Sequence, residues 1–442
     1  MTNLSDMHMP PAMPSIDQAK HILHRLFRDF NGSVRIRLWD GSEMNVGCGC
    51  PDFSLIFRSP RAFQEMLISH HPLRVVESYF RGLIDVEGDF YSALRLRHYF
   101  ASLRLPLAEK LLFAARALTI RTEKSEANGS RRWAKHLRQK LGLEHSKELN
   151  RDAIEFHYDV SNDFYALWLD EQMLYSCAYY EDAGQSLEQA QRNKLDHICR
   201  KLRLRPGERL LDIGCGWGAL VCWAAEHYGV TAHGITLSRN QYELALRRIA
   251  ARGLEDRVTV ELRDYRDLEG EAVYDKLASV GMFEHVGLQN LPAYFAVANR
   301  MLKPGGLFLN HGITSAEGGW KKSDTTEFIN RYVFPDAELE SVSAVQQVME
   351  DSGFEIHDAE NLRWHYALTL REWVRRLEAH HDEALEYVSE PVYRIWRFYM
   401  ASCAQQFEEG NTGVYQLLAS RRMPYAQPVP LTRRDLYVGD SA

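Results

Sequence analysis

The stretch RLLDIGCGWGAL, residues 209–220, sets an acid, Asp212, two residues ahead of three alternate glycines, Gly214, Gly216 and Gly218. An apolar run precedes the glycines and a helical apolar pattern follows, so the segment reads as a buried strand turning into a helix. Glycines in such a loop let backbone approach a bound molecule where a Cβ would stand in the way. The loop lacks the Gly-Lys-Ser/Thr ending of a triphosphate cradle. Its GxGxG spacing also departs from the GxGxxG of dinucleotide sites. A carboxylate at Asp212 repels pyrophosphate but suits a ligand bearing an ammonium or sulfonium group.

S-adenosylmethionine bears both groups, which favours a methyltransferase. A nicotinamide enzyme and a non-catalytic relative of the same fold stay open as alternatives. Ribose and adenine must then be held at the ends of the next strands. The second offers no acid in GITLSRNQ (234–241), leaving Thr236, Leu237, Ser238 and Gln241 as the contacts. The third offers RDYRDL (263–268), where Asp264 can accept from the adenine amine and Tyr265 can stack on the ring. Each alone is an ordinary loop residue; together they fall at successive strand ends.

Those residues need a sheet to position them. Strands are expected near 209–213, 230–236, 258–263, 276–281 and 305–313, with helical stretches between them. That alternation predicts an α/β unit with a mostly parallel sheet. A long helical tail is expected around 341–351, 368–390 and 391–420. Ahead of it, residues 34–48 read as a hairpin turning at Asp40-Gly41, DFSLIF (52–57) as a further strand, and 60–105 as helical. Residues 107–118 form an amphipathic helix that packs on a neighbour or meets a membrane. The predicted division is an N-terminal α+β module over 1–120, a basic linker over 121–150 and a catalytic domain over 151–442. In the linker, Arg131, Arg132, Trp133, Lys135, Arg138 and Lys140 are candidates for phospholipid headgroup contact; a solvated linker is the alternative.

Composition narrows the classes. The 442 residues carry a net charge of −7, with 45% hydrophobic and 26% charged residues, so nothing global attracts nucleic acid or anionic lipid. No apolar run approaches the roughly 20 residues of a membrane span. The N-terminus lacks the order of a signal peptide, and seven cysteines in no repeated pairing argue against a disulfide framework. The expected setting is a reducing cytoplasm, with peripheral contact at the inner membrane face. No metal site is expected.

Several further blocks accompany the glycine loop: HYDVSNDFYALWLD (157–170), YSCAYYED (175–182), VGMFEHVG (280–287), FINRYVFPDAEL (328–339) and HYALTLREW (365–373). Together with SYFRGLIDVEGDF (78–90), they resemble the cyclopropane-fatty-acyl-phospholipid synthase family, which includes the mycolic acid cyclopropane synthases. The resemblance implies a Rossmann-like, class I S-adenosylmethionine-dependent methyltransferase fold with a small N-terminal α+β domain. It implies a cis-unsaturated acyl chain of membrane phospholipid as substrate and a bound bicarbonate as base. The bicarbonate ligands it implies are Cys177, Glu284, His311, Ile313 and Tyr366, with Cys177 and Ile313 acting through backbone groups. It also sets Tyr175 and Ser176 over the cofactor on a helical cover, and matches Cys403 to a cysteine once considered a nucleophile.

The chemistry explains that set. An alkene is a weak nucleophile, so a sulfonium methyl must reach it at close range in a dry site. Methylation leaves a cation that aromatic faces such as those of Tyr158, Tyr179 and Tyr180 can stabilise; core packing is the alternative for these tyrosines. A base must then remove a proton to close the ring. Glu284 and bicarbonate, two anions in one dry pocket, must share a proton. Glu284 as a helix cap and Tyr366 as a core residue are the plainer readings. Alkene methylation needs no covalent enzyme intermediate, which favours Cys403 as a structural thiol. Gly312 stands where many members carry threonine, so backbone freedom there is expected to be greater. Rival functions are a methyl-branching or furan-precursor alkene methyltransferase, an amine N-methyltransferase and a non-catalytic lipid carrier. A homodimer is a possible assembly.

Overall fold

The computed structural model describes residues 15–68, 72–120, 160–318, 328, 338–425 and 427–437. The six basic-linker residues and Tyr158 lie outside them. The described chain divides into two compact units: residues up to 120 together with 390–395, and residues 160–389 together with those from 396 onward.

In the first unit, helix α1 (Ser15–Leu26) precedes β1 (Ser33–Arg37), β2 (Glu43–Gly47) and β3 (Phe53–Phe57). The β1–β2 hairpin closes where expected: Gly41 takes a φ of 83° and the Asp40 carboxylate accepts from the Ser42 amide at 2.9 Å. Helices α2 (Pro60–Ile68) and α3 (Pro72–Phe80) follow, then β4 (Ile84–Gly88), α4 (Phe90–Ser102) and α5 (Leu107–Thr119). Here the all-helical reading of 60–105 is corrected. IDVEG, buried only at Ile84, pairs antiparallel with β3, completing a sheet ordered β2-β1-β3-β4.

In the second unit a single helical turn over Asn162–Ala166 precedes α6 (Leu187–Lys201), which is capped by Ser186. Alternating elements follow: β5 (Arg209–Ile213), α7 (Ala219–Tyr228), β6 (Thr231–Thr236), α8 (Arg239–Ala251), β7 (Val258–Leu262), β8 (Tyr274–Val280), α9 (Leu291–Met301) and β9 (Leu302–Ser315). β5 is buried from Leu210 to Ile213, as a strand covered on both faces must be. The tail departs from expectation. After α10 (Val342–Asp351), residues Phe354–Asn361 form β10; after α11 (Arg363–Ala379) and α12 (Glu390–Glu409), residues Thr412–Arg421 form β11. Both are strands, paired antiparallel to each other, and β11 lies antiparallel on β9. The seven-stranded sheet runs β10-β11-β9-β8-β5-β6-β7. Its parallel strands reverse winding direction between β5 and β8, so their carboxyl ends open a crevice there.

Candidate active site

A cavity fills that crevice, lined by the ends of β5 to β8 and by the segment before α6. At its floor the Gly214 and Cys215 amides both donate to the Ile235 carbonyl, at 3.0 and 2.9 Å, which ties the glycine loop to β6. Gly214 takes a φ of 84°, and a Cβ there would sit 3.0 Å from Met282 Cγ; no other residue fits without strain. Gly214 and Gly216 line the cavity. Gly218 is not among the lining residues. It starts α7 in the left-handed region, against Ala245.

Asp212 lies at the end of β5, 2% exposed, and its Oδ1 has no hydrogen-bond partner. Burial pushes its carboxyl up to about 7, against the pull of the Lys194 ammonium. Thr236 and Gln241 line the next strand end and bond to each other at 2.7 Å; Leu237 lies between them on the cavity wall. Ser238 instead caps α8, its Oγ accepting from the Gln241 amide, and it is absent from the cavity lining. Asp264 and Tyr265 both line the cavity. The Asp264 carboxylate already receives Arg266 Nε at 2.9 Å and Nη2 at 2.7 Å, so any adenine contact must share it. The Arg266 guanidinium also lies over the Tyr265 ring.

Tyr175 and Ser176 face the same cavity, but from an irregular segment between residues 171 and 185 rather than from a helical cover. The Tyr175 ring packs at 5.4 Å from Trp168 and 5.3 Å from Trp373, forming an aromatic wall. Sequence reasoning missed Lys194. It is 1% exposed on α6, lines the cavity and donates to Ser176 Oγ at 2.7 Å. Burial lowers its ammonium to about 8. In QRNKLDHICRK it looks like one of several basic residues on a solvated face; only the fold turns it inward.

Beside the cavity the five residues grouped by family pattern are linked through the sheet. The Ile313 amide donates to Glu284 Oε1 at 3.5 Å. Ile313 is paired with Val414, whose carbonyl accepts from the Leu362 amide. The Leu362 carbonyl in turn receives the Tyr366 amide at 3.0 Å and the Cys177 thiol at 3.7 Å. His311 lies on β9, and its carbonyl accepts from the Gly281 amide at 2.8 Å.

Glu284 sits in a short 3-10 turn and caps no helix through its side chain. It is 5% exposed, and burial raises its carboxyl from 4.5 to about 7. Its Oε2 and the Nε2 of His311 are both buried without a partner. Burial, helped by the Lys194 and Lys201 cations, lowers His311 to about 3, so the ring is neutral. His311 Nδ1 meets Gln416 Nε2 at 3.2 Å, an arrangement that puts the ring proton on Nε2. Gln416 was not legible beforehand, because its segment read as helix.

One further expectation changes. Gly312 lies in mid-strand opposite Tyr415, so its role is space rather than backbone freedom. A Cβ there would come within 2.2 Å of Phe283 Cε1 and 2.6 Å of Glu284 Oε2. Cys403 is half-buried on α12, outside the cavity lining, and burial pushes its thiol to about 12. Burial thus disfavours the reactive thiolate there. Cys215 packs against Gly234, where a Cβ would meet its Sγ at 2.8 Å. Tyr179 stacks between His197 and His365, and Tyr180 is buried. All seven cysteines are free thiols.

Residues 145–417 match the family model of mycolic acid cyclopropane synthetase. The chain belongs to this family. Residues 20–97 match a separate domain of unknown function. A probable fatty acid methyltransferase of Pseudomonas putida is 39% identical over 411 residues, covering 91% of this chain and 96% of that protein. The cyclopropane-fatty-acyl-phospholipid synthase of Escherichia coli is 43% identical over 267 residues, covering 60% of this chain and 66% of that one. Among solved structures, mycolic acid cyclopropane synthase CmaA1 complexed with SAH and CTAB superposes with a TM-score of 0.58 at 34% identity, covering 61% of this chain and 98% of that one. The chain is thus an S-adenosylmethionine-dependent methyltransferase of the cyclopropane synthase family, with an α/β catalytic fold and a separate N-terminal α+β domain. The buried, unpartnered Asp212 Oδ1 fits its cationic cofactor.

Proposed function

We propose that this member acts on the cis double bond of phospholipid acyl chains, converting it to a cyclopropane ring. S-adenosylmethionine, when bound, supplies an electrophilic sulfonium methyl. The residues proposed to hold it are Tyr175, Ser176, Asp212, Gly214, Gly216, Thr236, Leu237, Gln241, Asp264 and Tyr265, with Ser238 and Gly218 supporting them from behind. Tyr175, backed by the buried Trp168 and Trp373, excludes water and offers a π face to a developing cation.

The observation that carries the ring-forming reading is the pair of orphaned atoms, Glu284 Oε2 and His311 Nε2. A buried donor and a buried acceptor left unpaired cost stability, so their retention points to a small partner. Bicarbonate fits, and would supply the base for the proton lost on ring closure. Glu284, poised near 7, holds or yields a proton at Oε2; His311 donates from Nε2; Tyr366 and the backbone of Cys177 and Ile313 complete the proposed cradle.

The N-terminal module, the linker and the helix α5 are proposed to meet the inner membrane face, where the substrate lies; a dimer would suit that approach. Among the described residues no helix is long and apolar enough to cross a membrane. A methyl-branched product is the second reading, supported by the probable fatty acid methyltransferases that match this chain over about nine tenths of its length. The test is transfer of labelled methyl from the cofactor to vesicles of cis-unsaturated phospholipid in bicarbonate-replete buffer. Label in the acyl chains with a mass gain of one CH₂ is expected; label confined to water-soluble amines would overturn the reading.

A further inference from the structure

The segment from Leu174 to Tyr180 belongs to no helix or strand, yet none of its residues is exposed. Irregular backbone withdrawn from water must find hydrogen-bond partners elsewhere. Two helices provide them from their sides. On α6, Gln191 Nε2 donates to the Leu174 and Ser176 carbonyls at 3.2 and 3.1 Å, and the Ala190 carbonyl accepts from the Tyr179 amide at 3.0 Å. On α11, Thr369 Oγ1 accepts from the Ala178 amide at 3.1 Å, and His365 Nδ1 accepts from the Tyr180 amide at 2.9 Å. His365 and Thr369 stand four residues apart, hence on one face of α11, and meet alternate amides of the segment.

Both side chains are set for that task. Thr369 is wholly buried, and its hydroxyl donates to the His365 carbonyl at 2.7 Å, which leaves its lone pairs for the Ala178 amide. Such a bond back to the preceding turn does nothing for the helix itself, so packing alone would favour valine. His365 can accept at Nδ1 only when its proton sits on Nε2; burial lowers its pKa and keeps the ring neutral. The grip falls beside the anion pocket. The Cys177 thiol reaches the Leu362 carbonyl at 3.7 Å, at the start of the helix that carries Tyr366. A Cβ on Gly281 would lie 3.9 Å from Ser176 Cβ and 4.0 Å from Glu284 Oε1, so the segment passes close to Glu284. We propose that Thr369 and His365 are positioning residues that clamp the backbone after Cys177 and so hold the Cys177 side of the anion cradle at its working distance from Glu284 and Tyr366. This rests on the reading of the Glu284–His311 pocket as a bicarbonate site. Neither residue touches the anion; Gln191 holds the Ser176 side independently, so the clamp governs the anion and not the cofactor.

The experiment measures methyl incorporation into cis-unsaturated phospholipid vesicles by the full-length protein, in bicarbonate-depleted buffer to which bicarbonate is added back. Thr369→Val, which keeps the shape and removes the acceptor, should raise the bicarbonate concentration for half-maximal rate about 5- to 10-fold, the low end of what one unmet buried amide costs. Thr369→Ser should restore it. Calorimetric affinity for S-adenosylhomocysteine should stay within about twofold of wild type in both variants. A general loosening of the fold would weaken both ligands together. That outcome, or a lower maximal rate with an unchanged bicarbonate dependence, overturns the clamp. Should the valine variant not fold, His365→Leu against His365→Asn decides: leucine should give the same shift and asparagine, which offers an acceptor near the Nδ1 position, should reverse it. A wild-type rate independent of added bicarbonate overturns the anion reading itself, and the clamp with it.

Discussion

Replacing Glu284 by glutamine should make the ligand-free protein more stable above neutral pH while it removes activity. The buried carboxyl rises from 4.5 to about 7. At about 1.4 kcal/mol per decade of proton affinity, ionising it inside the fold costs about 3 kcal/mol more than in the unfolded chain. Between those two values the folded protein keeps a proton that the unfolded chain has released. Stability therefore falls as pH rises through that window, and levels off above it. Glutamine has the same shape and no charge to desolvate, so the variant should equal wild type near pH ~4.5 and gain up to about 3 kcal/mol by pH ~8. Asp212, raised to about 7 by the same cause, titrates in both proteins and cancels in the difference. Urea unfolding across this range in bicarbonate-free buffer measures it. A difference that is flat with pH, or of opposite sign, would refute the reasoning. Methyl incorporation should meanwhile fall by about 10²–10⁴-fold, the scale of a lost acid–base group.

Other perturbations test separate parts of the structure. Lys201, wholly buried, pairs with Asp358 at 3.3 Å and with Glu360, so Lys201→Met should cost about 3 kcal/mol in chemical denaturation, the low end for a broken buried pair, because Asp358 keeps Arg433 at 2.8 Å and Glu360 keeps His197 at 2.8 Å. Burial works against Glu360, yet its bonds to His197 and Lys201 hold its carboxyl at about 2. This contribution is present above about pH 4.5 and lost as pH falls toward 2. Gly312→Thr would push a Cβ into Phe283 and Glu284; a loss of about 1–3 kcal/mol in thermal unfolding, with reduced turnover, is expected unless Phe283 repacks. Cys403→Ser should leave methyl transfer at the wild-type rate, whereas a covalent role would abolish it.

The parallel core of the catalytic unit was legible because its signals are local. LLDI is a short apolar run closed by glycines, and β6, β7 and β9 are each set off by a helical repeat of ten or more residues. The two antiparallel strands were not. TGVYQLLASR follows a long helix and keeps its apolar spacing, while FEIHDAEN carries charges on what becomes a half-exposed edge strand. Losing those strands also hid Gln416, whose contact with His311 exists only through the β9–β11 register. Ser238 and Gly218 stand at the same strand ends, but neither is among the cavity-lining residues. Sequence shows that a residue stands at a strand end, but not whether its side chain turns to the crevice or back to cap the next helix. Lys194 shows the reverse: a polar residue on an amphipathic helix is inward only because the segment with Ser176 folds over it. The sequence suggests freedom at Gly312; the structure shows room, because the packed fold sets Phe283 against it.

The central claim is that the pocket around Glu284 and His311 serves to take a proton from the methylated acyl chain. Proton NMR of the phospholipid recovered after reaction tests it most directly. The account predicts upfield cyclopropyl signals replacing the alkene signals in wild type, and neither product nor alkene loss with Glu284→Gln. Methyl-branched chains without ring signals, or ring formation undiminished in that variant, would contradict it.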